Sequence, residues 1–126
     1  MKRTIIAVAL LLAVAAASAA QFFYVSAQAD SFLERIEALD KAMRKNDFGS
    51  ALKECKSLSG AWDDASGTID VLLIHDYVDN IGISISQMQA HIENFCPDMY
   101  FAESEYAKKG LASIKRSEYP NFENIL

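Results

Sequence analysis

The sequence predicts an all-α protein: an N-terminal transmembrane or signal helix followed by a small bundle of about four helices. Three observations lead there. Met1-Lys2-Arg3 stands ahead of an uncharged stretch from Thr4 to Ala29. From Ser31 on, apolar residues recur at alternating spacings of three and four, the period of a helix face. Both prolines, Pro97 and Pro120, come late, and no Pro/Gly-rich linker or low-complexity tract divides the chain.

The leader is the first element. Two basic residues ahead of a Leu/Ala/Val/Ile block mark an exported or inserted chain, whose positive flank stays in the cytoplasm. As a retained anchor, the apolar run continues through Phe22, Phe23, Tyr24 and Val25. A helix of that length measures roughly 33 Å at about 1.5 Å per residue, enough to cross a core of about 30 Å. As a cleavable signal, Ile5 to Val14 is the apolar region and Ala17-Ser18-Ala19 or Ser18-Ala19-Ala20 the cleavage site. The anchor is the favoured reading. It divides the chain into a signal-anchor segment, 1–29, and an extracytoplasmic helical domain, 30–126.

Beyond Lys2 and Arg3 the chain carries 10 Lys+Arg against 17 Asp+Glu, a net charge of −7. Phosphate backbones and anionic headgroups repel such a domain, which excludes nucleic acid as a partner. Asp30 to Leu126 is long enough for one core and no more.

Four stripes define the soluble helices. Phe32, Ile36, Leu39 and Met43 form the first, and Asn46-Asp47 ends that helix and caps the next. Cys55, Leu58, Trp62, Ala65, Ile69 and Leu72 form the second. Val71, Ile74, Val78, Ile81, Ile85, Met88, Ile92 and Phe95 form the third, and it resembles a heptad series. These two are out of phase at Leu72 to Asp76. Either the helix breaks there, with Asp76 as N-cap, or it runs on and turns its apolar face. Cys96-Pro97-Asp98 opens the last helix, with Pro at the first helical position. Its inner side is expected at Met99, Ala102, Glu103, Tyr106, Gly110 and Ile114, and Lys115-Arg116 complement its C-terminal dipole. Asp47-Phe48 with Ala51 echoes Asp98-Met99 with Ala102, as two paired helical hairpins would.

Several of these segments also resemble a known pattern. They are Asp47-Phe48…Ala51, Trp62, Ile74-His75-Asp76-Tyr77-Val78-Asp79, Ile85, and Glu118-Tyr119-Pro120-Asn121-Phe122-Glu123-Asn124-Ile125. Together they resemble the bacterial family catalogued as domain of unknown function 4363, small proteins of clostridia and relatives with one N-terminal membrane segment. The resemblance spans almost the whole chain. It implies a retained anchor and an extracytoplasmic helical domain, and it implies no activity. The two cysteines are not part of that pattern.

The residues with chemical potential are few. His75 and Asp79 stand at i and i+4, so a helix brings them together as a metal pair or a His–carboxylate base requires. Asp76 lies between them. A metal needs three or four ligands, and His91 lies about 24 Å along a continuous helix at about 1.5 Å per residue. The expected role of His75, Asp76 and Asp79 is therefore capping and local pairing. No catalytic residue, cofactor site or metal site is assigned. Cys55 and Cys96 have no basic neighbour to make a reactive thiolate, and whether they pair is left open. Trp62 is expected to anchor the core. Asp63-Asp64 and Glu103/Glu105 form a solvated face, and Gly60, Gly67 and Gly82 mark kinks or close helix approaches. The apolar segment Phe122 to Leu126 is expected to dock on the bundle or on a partner.

Three functions compete. The favoured one is a membrane-anchored, non-catalytic interaction module supporting a membrane or envelope partner, single-pass, with its N-terminus in the cytoplasm. The alternatives are a secreted helical binding protein cleaved near Ala19–Gln21, and a small metal or enzyme site at His75, Asp76 and Asp79.

Overall fold

The 3–4 periodicity is realised as four α-helices in a computed structural model: α1 Lys2–Arg44, α2 Phe48–Leu72, α3 His75–Glu93 and α4 Pro97–Glu118. The structure describes residues 1–72 and 75–118. The side chains of 70–72, 75–76 and 117–118, and all of 73–74 and 119–126, lie outside the described residues. Val71, Leu72 and Ile74 of the expected stripes, and the C-terminal Phe122 to Leu126, therefore fall beyond it.

Leader and first soluble helix are one element. α1 runs for 43 residues without a break at Asp30, about 65 Å at about 1.5 Å per residue. From Lys2 to Ala20 every residue is exposed, Ile5, Leu10, Leu11, Leu12 and Val14 among them. Burial begins at Val25 and Ala29, inside the segment read as leader, and continues through Phe32, Ile36, Leu39 and Met43.

The helices run up-down-up-down, each packed on its two neighbours in a ring. Trp62 lies against Gly82, and Cys55, earlier on α2, lies over the carbonyl of Ile85, later on α3, so α2 and α3 are antiparallel. A helix running on through residues 72–76 could not bring position 62 onto position 82. α2 ends at Leu72 and α3, which begins at His75, runs the opposite way, which settles the phase problem in favour of a break. α3 starts at His75, which places Asp76 inside its first turn rather than ahead of it as the expected N-cap.

Both other reversals, at the opposite end of the bundle, use one backbone device. Asp47 N–H donates to Ala42 and Asn46 N–H to Met43, while Cys96 N–H donates to His91 and Phe95 N–H to Ile92. These are Schellman turns, and each places one residue in the left-handed region: Asn46 at φ 56° and Phe95 at φ 55°. Asn tolerates that backbone. Phe does not favour it, and its ring packs edge-on against Phe48 at 5.2 Å. Phe95 is consequently exposed to solvent, not the last member of the core stripe. Asp47 caps α2 as expected, its Oδ1 accepting from Ser50 N–H at 3.3 Å.

Aligning the two turns exposes a repeat of 49 residues, the separation of Phe32 and Ile81. Buried Ala29, Phe32, Ile36, Leu39 and Met43 of α1 correspond to buried Val78, Ile81, Ile85, Met88 and Ile92 of α3. Ala51, Cys55, Leu58 and Trp62 of α2 correspond to Tyr100, Ser104, Ala107 and Leu111 of α4, again all buried. Two helical hairpins are thus built on one pattern. The echo expected from Asp47-Phe48…Ala51 and Asp98-Met99…Ala102 has its register off by two, because Asp47 precedes its helix while Asp98 lies within the first turn of its own.

The inner face of α4 also differs from expectation. Tyr100, Ser104, Ala107, Leu111 and Ile114 point inward, while Met99 is 57% and Tyr106 54% exposed. Ala102 is exposed and Glu103 only half-buried; of the expected set, Ile114 is buried and Gly110 meets a neighbouring helix. The true face contains a Ser and a Tyr whose polar atoms need a partner inside the bundle, and α1 supplies it.

Candidate functional site

That partner is Asp40, on α1 one turn before its end and 2% exposed. Oδ1 accepts from Tyr100 Oη at 2.8 Å and from Ser104 Oγ at 2.6 Å, and Oδ2 from Lys108 Nζ at 2.9 Å. Positions 100, 104 and 108 are one turn apart, so α4 presents three donors in a row to one carboxylate. Lys108 also pairs with Glu105 at 2.8 Å and keeps its ammonium at the surface. An isolated buried carboxylate would be costly; three charge-assisted hydrogen bonds offset that cost.

A carboxylate, a phenol, a hydroxyl and an ammonium together have the makings of acid–base chemistry, which needs a group that changes protonation near the working pH. Burial, and then the Asp40 charge, push the Tyr100 phenol far above its ordinary range. For Lys108, burial pulls down, but hydrogen bonds to Glu105 and Asp40 and their charges outweigh it, so the ammonium is held above its ordinary value. Tyr100 stays neutral and Lys108 charged. Ser104 is fully buried and spends its proton on Asp40. The arrangement works as an interhelical clamp. Sequence reasoning missed it because Asp40 follows Leu39 like any solvent-facing residue. A Ser, and not a leucine, at position 104 on the 100–107–111 stripe was the available signal.

The second feature is a groove of about 620 Å³ between α2 and α3. Trp62, Val78 and Ile83 line it, Gly67 and Gly82 open it, and Asp63 and Asp79 stand on its rim. Trp62 is a core anchor as expected, 2% exposed, with its ring edge-on to Phe32 at 5.0 Å. Its Nε1 edge lies along Gly82, where a Cβ would come within 3.3 Å of that nitrogen. Gly82 is therefore a close helix approach, whereas nothing lies within 4 Å of a Cβ at Gly60 or Gly67. Gly110, by contrast, admits Ile81: a Cβ there would sit 2.9 Å from Ile81 Cγ1.

Of the cluster His75, Asp76 and Asp79, the first two side chains lie outside the described residues, and Asp79 is exposed on the groove rim. Among the described residues, no three of His, Cys, Asp or Glu come together as a metal site requires. Both cysteines are free. Cys55 is fully buried and lies over the Ile85 carbonyl at 3.8 Å; burial, with Glu93 nearby, pushes its thiol up to about 12. Cys96 is half-buried at the second turn.

The family model described as "Domain of unknown function (DUF4363)" matches residues 19–125. The chain belongs to this family. No curated protein and no solved structure matches it. The match takes in the end of the apolar leader and the whole DUF4363 bundle, including both turns, the Asp40 clamp and the α2/α3 groove.

Proposed function

We propose that the chain is a single-pass membrane protein whose bundle, held outside the cytoplasm, is a non-catalytic interaction module for a membrane or envelope partner. One observation carries the reading: α1 passes from an exposed apolar half into a buried amphipathic half without interruption. It is long and apolar enough to cross a membrane. An unbroken helix couples any anchor rigidly to the bundle, so the domain would stand at a fixed height and orientation above the bilayer. Lys2 and Arg3 at one end, with Asp30 and Glu34 beyond the other, favour the N-terminus inside. The acidic bundle repels phosphate backbones, which disfavours nucleic acid as a partner.

Intact mass and alkaline-carbonate extraction of the native protein test this. A retained Met1-to-Leu126 chain that resists extraction is the expected outcome. A soluble chain beginning near Ala20 or Gln21 replaces the reading with the secreted one. A reporter fused after Leu126 should work only outside the cytoplasm.

A further inference from the structure

The α2/α3 groove combines three properties that do not arise from packing alone. First, it is open because side chains are small: Ser66 and Gly67 on α2 and Ser86 and Ala90 on α3 leave room, while Trp62 itself lies on Gly82. Second, among the described residues nothing accepts a hydrogen bond from the Trp62 indole N–H, although the side chain is almost entirely buried and its nitrogen edge faces the groove floor at Gly82. Trp62 is not among the buried polar side chains left unpaired, so its N–H opens on the groove, where a docked acceptor can reach it. Third, the groove sits in an electrostatically one-sided stretch. From Ser57 to Ala107 the sequence has nine Asp and Glu and no Lys or Arg. The segments on either side of that stretch, from Asp30 to Lys56 and from Lys108 on, mix both signs. Asp63 on α2 and Asp79 on α3 both line the groove, and no Lys or Arg lines it.

The geometry points to this groove as the docking site for a basic amphipathic helix of a partner protein, laid between α2 and α3. Its small apolar face enters between Gly67 and Gly82, a polar acceptor takes the Trp62 N–H, and flanking Lys or Arg pair with Asp63 and Asp79. Ile83, exposed beside the groove, covers the edge of that apolar face. Helix-in-groove recognition depends on this combination of apolar seat and charged rim, and rim charges set selectivity and encounter rate. The proposal rests on the interaction-module reading and names the surface and the chemistry of its partner.

Trp62 is the only tryptophan in the chain, so its emission reports on the groove directly. The full chain in neutral-detergent micelles is titrated with a Trp-free synthetic helix bearing an Ala/Leu stripe flanked by lysines, and with the same peptide carrying glutamates instead. Binding is followed by Trp62 emission and by anisotropy of a label on the peptide. The lysine peptide should bind and the glutamate peptide should not. Asp63→Asn with Asp79→Asn should weaken binding by about tenfold or more, and added salt should weaken it too. Gly67→Leu, which fills the groove from a position with open space around it, should abolish binding while the melting curve is retained.

No binding of the lysine peptide, equal binding of the glutamate peptide, or undiminished binding to either groove variant would overturn the proposal. So would a dimer of the chain that Gly67→Leu dissolves, since the occupant would then be a second copy. Failed binding leaves the anchoring result standing, and a cleaved leader leaves the peptide result standing, so the two readings fail separately.

Discussion

The α1/α4 and α2/α3 seams occupy equivalent places in the two-hairpin repeat, yet they are closed in opposite ways. Across α1/α4, Asp40 takes three hydrogen bonds, Lys115 pairs with Asp30 at 2.6 Å, and Arg44 lies 5.8 Å over the Phe101 ring. At the corresponding α2/α3 positions the clamp is missing: Gln89 stands for Asp40, Ala51 for Tyr100, Cys55 for Ser104 and Ser59 for Lys108. Gln89 turns instead to Glu93 on its own helix at 3.1 Å. No ion pair crosses α2/α3 among the described residues; apart from the Cys55 thiol on the Ile85 carbonyl at 3.8 Å, Trp62 and its neighbours hold that seam by apolar contact. A repeated scaffold supplies two similar seams, and side-chain chemistry makes one a fastening and the other a recess.

The contrast can be tested by removing what holds each seam. Trp62→Ala should have the largest effect, about 3–5 kcal/mol, as deletion of a buried large aromatic does. Against a total near the low end of about 5–15 kcal/mol it endangers folding itself. Urea melts of the bundle would show it, and a loss under about 1 kcal/mol would mean the α2/α3 seam is held by something else.

Asp40→Ala comes next, at about 3 kcal/mol, because it strands the buried Tyr100 and Ser104 hydroxyls at about 1–3 kcal/mol each, while Lys108 can turn to water. Gln89→Ala, its counterpart in the repeat, should change stability by less than about 0.5 kcal/mol. Equal losses at the two positions would erase the distinction between fastening and recess.

Alkaline pH should loosen the fastened seam through Tyr100 and Lys108, and the α2/α3 seam through Cys55 as well, since its thiol is also raised in the fold. Tyr100 and Lys108 both hold their protons more tightly folded than unfolded. Their stabilising contribution is complete below the unfolded values near about 10 and declines as the pH rises above them. The melting temperature should therefore fall above about pH 10, and less steeply in Tyr100→Phe. A Tyr100→Phe profile parallel to the parent's would remove the clamp as its cause.

Thiol labelling adds a finer test. With Cys55 buried and its thiol pushed up to about 12, a thiol reagent should modify Cys96 in the native protein and Cys55 only after denaturation. Rapid native labelling of Cys55 would show the α2/α3 seam opening locally. A modest gain is expected of Gly60→Ala, exposed on α2 with free space around it. It should raise stability by about 0.5–1 kcal/mol, through the helix preference of Ala.

Much of the architecture was legible in residue order. The apolar N-terminal helix, the all-α class, the stripes Phe32–Met43, Cys55–Ile69 and Val78–Ile92, the Asp47 cap and the opening of α4 at Pro97 all depend on local spacing and local hydrogen bonds, which a sequence displays. Burial of Trp62 followed from its place on the Leu58–Ile69 stripe.

What could not be read there depends on partners distant in the chain. Asp40 lies 60 residues from Tyr100, and only packing of α1 on α4 turns a carboxylate that looks solvated into a buried acceptor. That burial places Ser104 inside and rotates the apolar face of α4 away from Met99 and Tyr106. The reversal between Leu72 and His75 likewise needed the sight of Trp62 against Gly82, since a change of stripe phase fits a break or a continuing helix equally. The 49-residue register became visible only when the Asn46 and Phe95 backbones proved alike, although the two residues share no chemistry. Helix periodicity is a property of neighbours three and four apart. Which faces meet, and whether a seam between them is filled or left open, is decided by atoms that touch across the bundle.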